Sequence, residues 1–384
     1  MGHVQRRGKN RWRARYLGPD GHERNRTFER RVDAERFLVA TEADKLRGGW
    51  VDPRLGKTTF AEWAGQWSST VVHLKPKTRE GYESLLANLI LPEFATVPLA
   101  AITTVRVKGW VAELTRRGLS SSRVRQAYQL FSMVLKAAVE SEYLVKSPCV
   151  GVRIARVPKR EPAVLTEDQI EAVAAAMGQP AYSTLVYVLA YGGLRWGEAC
   201  ALRRRRCDLL RSRIEVVESL AEISGRFEFG EPKTYARRWV RLPRFVSEML
   251  ALHLESVPAD PDALVFTAGR RTPLRNSNFR RRVWQPALEA AGLPTTIRLH
   301  DARHTCASLL IRQGASVKAV QQQLGHSTPM VTLNVYAHLF EDDLERLYER
   351  LDASHSERTG ALRAPDGRTA SRRPEAVSTA STVA

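Results

Sequence analysis

Residues 299–305 read Leu-His-Asp-Ala-Arg-His-Thr, inside a segment whose periodicity predicts a helix over 300–313. On a helix, His300, Arg303 and His304 share one face, because residues three and four apart are neighbours there. Three further segments hold residues of the same chemical kind. Upstream, 191–198 reads Tyr-Gly-Gly-Leu-Arg-Trp-Gly-Glu. The glycine pair breaks a helix there, so Arg195 begins a new element, with Glu198 three residues on to orient its guanidinium. Residues 231–234 read Glu-Pro-Lys-Thr and place Lys233 at a hairpin tip or strand edge. Downstream, Leu324-Gly325-His326 is followed by Thr332, Tyr336 and His338.

Arginine forks match phosphate oxygens bidentately. A lysine can serve as general acid, and a tyrosine hydroxyl as a covalent nucleophile. Cations around a phosphorus centre stabilise the charge that develops in the transition state. The set therefore describes phosphoryl transfer without a metal. Paired carboxylates suited to magnesium are absent from these segments, and His300/His304 as a zinc pair lacks the HExxH glutamate and a clear third ligand. We expect no metal and no cofactor. Single residues carry little alone: Tyr336 is one of 10 tyrosines, and an isolated arginine is most often a surface ion pair.

The rest of the chain fits a polyanionic partner. It has 384 residues, 60 Lys plus Arg against 41 Asp plus Glu, and a net charge of +19. The excess is spread as +7 over residues 1–57, +5 over 58–155, +5 over 156–355 and +2 over 356–384, which suits a protein that holds nucleic acid with several domains. The four cysteines form no CxxC pair, excluding a zinc ribbon and a disulfide scaffold. The most apolar run, Leu185–Tyr191, is far shorter than the roughly 20 residues that span a bilayer. These features predict a soluble intracellular protein with reduced thiols and without a membrane partner.

Pattern reading predicts a multidomain, mainly α protein with small β-sheets. Residues 11–28 read as a basic hairpin turning at Pro19-Asp20-Gly21, followed by a helix over 33–47 with Ala34, Phe37, Leu38 and Leu46 as its apolar stripe and Gly48-Gly49 as its stop. This ββ(β)α module, 1–57, offers Arg11, Arg13, Arg15, Arg24 and Arg26 to a DNA groove or, more plainly, to solvent. Residues 58–150 read as an all-helical domain, with a stop at Leu91-Pro92, helices over 103–117 and 121–142, and Arg123 and Arg125 as DNA contacts. Residues 151–164 read as a linker and 165–353 as the third domain, opened by the capping box of Thr166 and Gln169. Strands are expected at 214–217, 226–229 and 239–242, helices at 182–192, 244–256, 277–290, 316–323, 329–335 and 340–351, and a disordered tail over 354–384. Arg203 and Arg204, in the run Arg203–Arg206, read as a solvated or phosphate-facing stretch.

In the order Arg195, Lys233, His300-x-x-Arg303, His326 and Tyr336 the sequence resembles the tyrosine recombinase (phage integrase) family over about residues 58–352. The resemblance implies an arm-site-binding N-terminal module, an all-α SAM-like core-binding domain and an α+β catalytic domain. It implies a site-specific recombinase that integrates a phage or mobile element into a bacterial chromosome through a 3′-phosphotyrosyl intermediate, in the cytoplasm at the nucleoid. Tyr336 would attack the scissile phosphate, Arg195 and Arg303 would hold its non-bridging oxygens, and Lys233 would protonate the leaving 5′-oxygen. His300 and His326 would assist proton transfer, Glu198 would support Arg195, and His304 would serve local packing. The implied partners are double-stranded DNA attachment sites, a homotetramer on DNA, and accessory DNA-bending and excision factors; Phe340, Leu344, Leu347 and Leu351 offer an apolar stripe to pack in cis or on a neighbouring subunit. A resolvase-like recombinase, a type IB topoisomerase and a non-catalytic DNA-binding regulator are the competing readings. The family often carries a tryptophan and acidic residues where this chain has Arg203–Arg206.

Overall fold

The structure, a computed structural model, describes residues 2–18, 21–46, 50–52, 54–157, 160–232, 237–337, 348–349 and 351–356. It divides into two compact units, residues 1–161 with 222–226, and the remainder.

The first unit opens with an antiparallel sheet, β1 (His3–Gly8), β2 (Arg11–Leu17) and β3 (Glu23–Phe28), in the order β1-β2-β3. β1 adds a strand to the expected hairpin. Helix α1 (Arg31–Leu46) covers one face of the sheet. Ala14, Tyr16 and Ala34 are buried there, and Phe37 packs edge-on against Tyr16 with ring centroids 5.6 Å apart. Leu46, expected in the stripe, is exposed: it lies in the last turn, beyond the reach of the sheet. The expected turn residues Pro19 and Asp20 and the stop Gly48-Gly49 lie outside the described residues.

Strand parity corrects part of the arginine assignment. The register pairs Arg13 with Thr27, and Arg15 with Asn25. It pairs Ala14 with Arg26, and Tyr16 with Arg24. Arg11, Arg13 and Arg15 therefore share the open face with Asn25 and Thr27. Arg24 and Arg26 lie on the face that α1 covers. Arg24 is 9% exposed, bonds the Asp52 carboxylate at 2.6 Å and lies over the Trp50 ring, while Arg26 lies over Phe28 and Phe37. Arg24 is thereby taken up inside the module and is not groove-facing, while Arg26 packs on two rings and stays exposed.

The helical part comprises α2 (Phe60–Thr70), α3 (Pro76–Leu85), α4 (Leu91–Phe94), α5 (Thr104–Arg116) and α6 (Ser121–Glu140). Thr59 and Glu62 form a capping box at α2, and Thr103 and Ser120 cap α5 and α6, so polar residues set the starts. Its core is an aromatic cluster: Phe94 stacks on Phe131 at 4.5 Å, flanked by Phe60 and Trp110. Leu91-Pro92 does not end the run as expected. A π-helical turn (Leu86–Ile90) hands α3 on to α4, where Pro92 occupies the first turn and needs no N–H partner.

Beyond residue 161 the chain runs α7 (Glu167–Ala175), α8 (Pro180–Gly192), α9 (Trp196–Cys200), β4 (Cys207–Asp208), β5 (Arg213–Val216), β6 (Ser219–Ile223), β7 (Arg226–Gly230), β8 (Arg238–Arg241) and α10 (Arg244–Glu255). The predicted capping box of Thr166 and Gln169 opens α7. α8 is the central helix, buried along most of its length and packed by α7, α10 and α13 (Leu299–Arg312). β4, β5 and β8 form one antiparallel sheet, and β6 pairs with β7, a partner the sequence reading had not marked. The single helix expected over 277–290 is interrupted by a π-helical turn (Arg280–Trp284) between α11 (Asn276–Phe279) and α12 (Gln285–Ala290). Helices α14 (Val317–Leu324) and α15 (Pro329–Tyr336) follow α13. Residues 354–356, expected to be disordered, continue the helical run of 351–356; Phe340, Leu344 and Leu347 lie outside the described residues, and Leu351 is exposed. Among the described residues no helix is long and apolar enough to cross a membrane.

Candidate active site

The second unit gathers Arg195, Glu198, His300, Arg303, His304, His326 and Tyr336 from four places in the chain. α8 ends on Gly193, at φ +69°, where a Cβ would come within 2.6 Å of Leu324 and 2.9 Å of the Cys306 sulfur. Only glycine lets the chain turn there, and the turn sets Arg195 at the start of α9. The buried Glu198 carboxylate accepts the Arg195 backbone N–H at 2.9 Å and its Nη1 at 2.8 Å.

The same carboxylate receives a second arginine, Arg238 of β8, at 2.6 and 3.1 Å. Burial alone would raise the Glu198 pKa. The Arg238 hydrogen bonds and charge, then Arg195, overcome it and hold the carboxyl at about 2. Arg238 also donates Nε to the Gln323 carbonyl at 3.3 Å, tying β8 to the end of α14. Sequence reasoning missed Arg238. The available signal was strand parity, since Arg238 alternates inward with the buried Val240.

Arg303 on α13 is 3% exposed, and among the described residues its guanidinium bonds backbone carbonyls rather than a carboxylate. Its Nη1 donates to the Gly193 carbonyl and Nη2 to the Leu324 carbonyl, both at 2.6 Å. These carbonyls sit at the C-terminal ends of α8 and α14, where the helix dipole presents partial negative charge. Burial, then the Arg195 charge, pulls the guanidinium below its ordinary pKa. Arg195 reaches the next carbonyl of that loop, Gly325, at 3.4 Å. Two arginines thus share the Glu198 carboxylate while Arg303 is held by backbone carbonyls, so positive charge is in excess and the pocket favours an anion.

Tyr336, at the end of α15, is 2% exposed, and burial raises its phenol pKa against the opposing pull of Arg303. Its hydroxyl lies 2.6 Å from His304 Nδ1. His304 therefore touches the tyrosine directly, rather than serving only local packing. Burial lowers the His304 pKa, with Asp301 opposing and Arg298 and Arg303 adding to it. His326 Nδ1 meets Thr332 Oγ1 at 2.9 Å, and burial, Arg303 and Arg195 push its pKa to about 4. His300, exposed in part, shifts the same way through burial and its neighbours His304 and Arg303. Lys233 and His338 lie outside the described residues.

Two other expected DNA contacts are placed elsewhere. Arg203 binds Glu218 at 2.6 Å, and Arg204 donates to the Leu254 and Val257 carbonyls at the end of α10. Both guanidinium groups serve the interior, so neither is a free phosphate contact. Arg123 contacts Ser84 at 3.5 Å, and Arg125 donates to the Ala155 carbonyl at 2.9 Å. Among the described residues no cluster of three or more His, Cys, Asp or Glu could hold a metal.

Comparison with known proteins gives this arrangement its relatives. Residues 163–343 match the phage integrase family, 59–115 its N-terminal SAM-like domain, and 1–47 the phage integrase N-terminal domain. The prophage phiRv2 integrase of Mycobacterium tuberculosis is 31% identical over 352 residues, covering 88% of this chain and 91% of that protein. The integrase of Mycobacterium phage L5 is 26% identical over 346 residues, with 86% and 91% covered. The Tn1549 transposon integrase, solved with a circular intermediate DNA, shares the fold at TM-score 0.67 and 21% identity, covering 76% of this chain and 99% of that one. The lambda integrase tetramer on a Holliday junction does so at TM-score 0.56 and 18% identity, with 85% and 96% covered. The chain belongs to the phage integrase family of tyrosine recombinases.

Proposed function

We propose that this protein is a site-specific DNA integrase that breaks and rejoins strands through a covalent bond between Tyr336 and a 3′-phosphate. The carrying observation is the cation-rich pocket beside a buried tyrosine hydroxyl: Arg195 and Arg238 share the buried carboxylate of Glu198, and Arg303 is held by two backbone carbonyls. A phosphodiester supplies the missing negative charge, and Arg195 and Arg303 hold its non-bridging oxygens as charge grows in the transition state. Lys233 protonates the departing 5′-oxygen. His300 and His326, neutral at pH 7, donate or accept hydrogen bonds at the phosphate. The covalent bond keeps the energy of the phosphodiester, so rejoining needs neither nucleotide nor metal.

The N-terminal module binds distal arm-type sites through the open sheet face of Arg11, Arg13 and Arg15. This module favours an integrase over a topoisomerase, which has no use for a second class of site. The protein acts as a tetramer on paired attachment sites in the nucleoid, with DNA-bending and excision factors setting direction. A nicked duplex copied from its attachment site should trap a covalent adduct in EDTA as well as without it. Tyr336→Phe should trap none. An adduct formed equally by the variant would remove Tyr336 from the role.

A further inference from the structure

We propose that His304 takes the phenol proton from Tyr336 as the tyrosine attacks, and returns it as the strand is rejoined. The inference rests on Tyr336 being the nucleophile. Among the described residues the Tyr336 hydroxyl has one hydrogen-bond partner, His304 Nδ1 at 2.6 Å. The other two imidazoles are placed for different tasks. His326 spends Nδ1 on Thr332, and the His300 ring stands edge-on to His304 with centroids 5.0 Å apart, one turn earlier on α13. The burial and positive neighbours that lower the His304 pKa leave its imidazole neutral at pH 7. A neutral imidazole bears its proton on one ring nitrogen, and the proposed tautomer carries it on Nε2, so that the phenol O–H donates to the Nδ1 lone pair. The charged and titratable groups around His304 are Asp301, Arg298, Arg303, His300, His326 and Tyr336.

The step balances. The Tyr336 Oη–H bond breaks, its proton passes to His304 Nδ1, and the oxygen's electron pair forms the bond to phosphorus. The bond from phosphorus to the 5′-oxygen breaks, and that oxygen takes a proton from the general acid, the role given to Lys233. In rejoining, the 5′-hydroxyl attacks, the phenolate leaves, and the imidazolium returns its proton. A phosphate entering beside His304 brings negative charge, which makes the imidazole a stronger base when the proton must move. A purely structural bond that only parks the buried tyrosine makes the opposite forecast, since freeing the phenol would leave cleavage equal or faster.

The test uses the full chain on a nicked duplex of its attachment site. His304→Asn and His304→Gln should slow adduct formation by roughly 100-fold or more, with DNA binding unchanged. Their residual rates should climb with pH, and 3-fluorotyrosine at position 336, a more acidic phenol, should recover a tenfold part of the loss. Cleavage at or above the parent rate overturns the proposal, as does a loss that neither pH nor the fluorine relieves. If both variants misfold, nitrogen-15 histidine spectra of the unaltered chain decide: a bare Nδ1 at pH 7 that changes in Tyr336→Phe supports the assignment, and a protonated Nδ1 overturns it. Should Tyr336→Phe still form the adduct, the nucleophile itself is wrong; should only the histidine variants cleave normally, only this inference falls.

Discussion

Glu198 carries two arginines on one buried carboxylate, and that load makes it the residue on which the pocket turns. Glu198→Gln leaves Arg195 and Arg238 uncompensated beside Arg303. Breaking a buried ion pair from one side costs about 3–5 kcal/mol, so the variant should melt well below the parent in a thermal scan and bind sulfate or phosphate more tightly per folded molecule. Equal melting temperatures would contradict the assigned geometry. His326 gives the pH test. Its folded pKa of about 4 lies below the ordinary 6.5, so between those values the unfolded chain binds more protons. Stability in the DNA-free protein should therefore be present at pH 7 and fall as pH drops from 6.5 towards 4. His326→Gln should flatten that decline, which parallel thermal scans at pH 7 and pH 5 would reveal. Arg195, Glu198, His300, Arg303, His326 and Tyr336 were legible in the sequence because fixed local spacings surround them. Arg238 was not, as one of 60 Lys and Arg residues in a strand whose inward parity becomes decisive only once Glu198 is known to be buried opposite.

At the scale of elements, the site is a meeting of ends. α8 finishes at Gly193, α14 at Leu324, and α9 begins at Arg195, so carbonyl-rich C-termini surround Arg303 while an N-terminus frames Glu198. Gly325 caps α14 at φ +67°, and a Cβ there would lie 2.7 Å from Arg238 Cδ. Gly325→Ala combines left-handed strain with that overlap and should cost about 1–3 kcal/mol, with a larger proportional loss of cleavage than of DNA binding. An unchanged cleavage rate would show that Arg238 does not transmit the strain. Helix starts were readable from Thr166 and Gln169, because capping is local chemistry. The π-helical turns at Leu86–Ile90 and Arg280–Trp284 were not, since each depends on how neighbouring helices pack against the inserted residue.

Across the whole molecule, the arginines behind the charge of +19 divide into those bonded within the fold and those on open faces. The parity of β3 separates them: Phe28 packs towards α1, and with it go Arg26 and Arg24. That signal was present in the sequence, but hairpin arginines were read by strand and not by face. Arg13→Ala with Arg15→Ala should weaken arm-site binding and reduce the slope of log affinity against log salt by about 2, leaving thermal stability unchanged. Arg24→Ala should instead destabilise the module, through loss of the Asp52 pair. The reverse pattern would contradict the placement of the two faces. Removing residues 1–57 should spare core-site cleavage and abolish distal binding.

The most direct test of the account is where the DNA becomes attached. Adduct trapped on a nicked attachment-site duplex, digested with nuclease and protease and read by tandem mass spectrometry, should place the nucleotide on Tyr336. Attachment at any other residue, or rejoining that proceeds with no protein–DNA adduct at all, would contradict it.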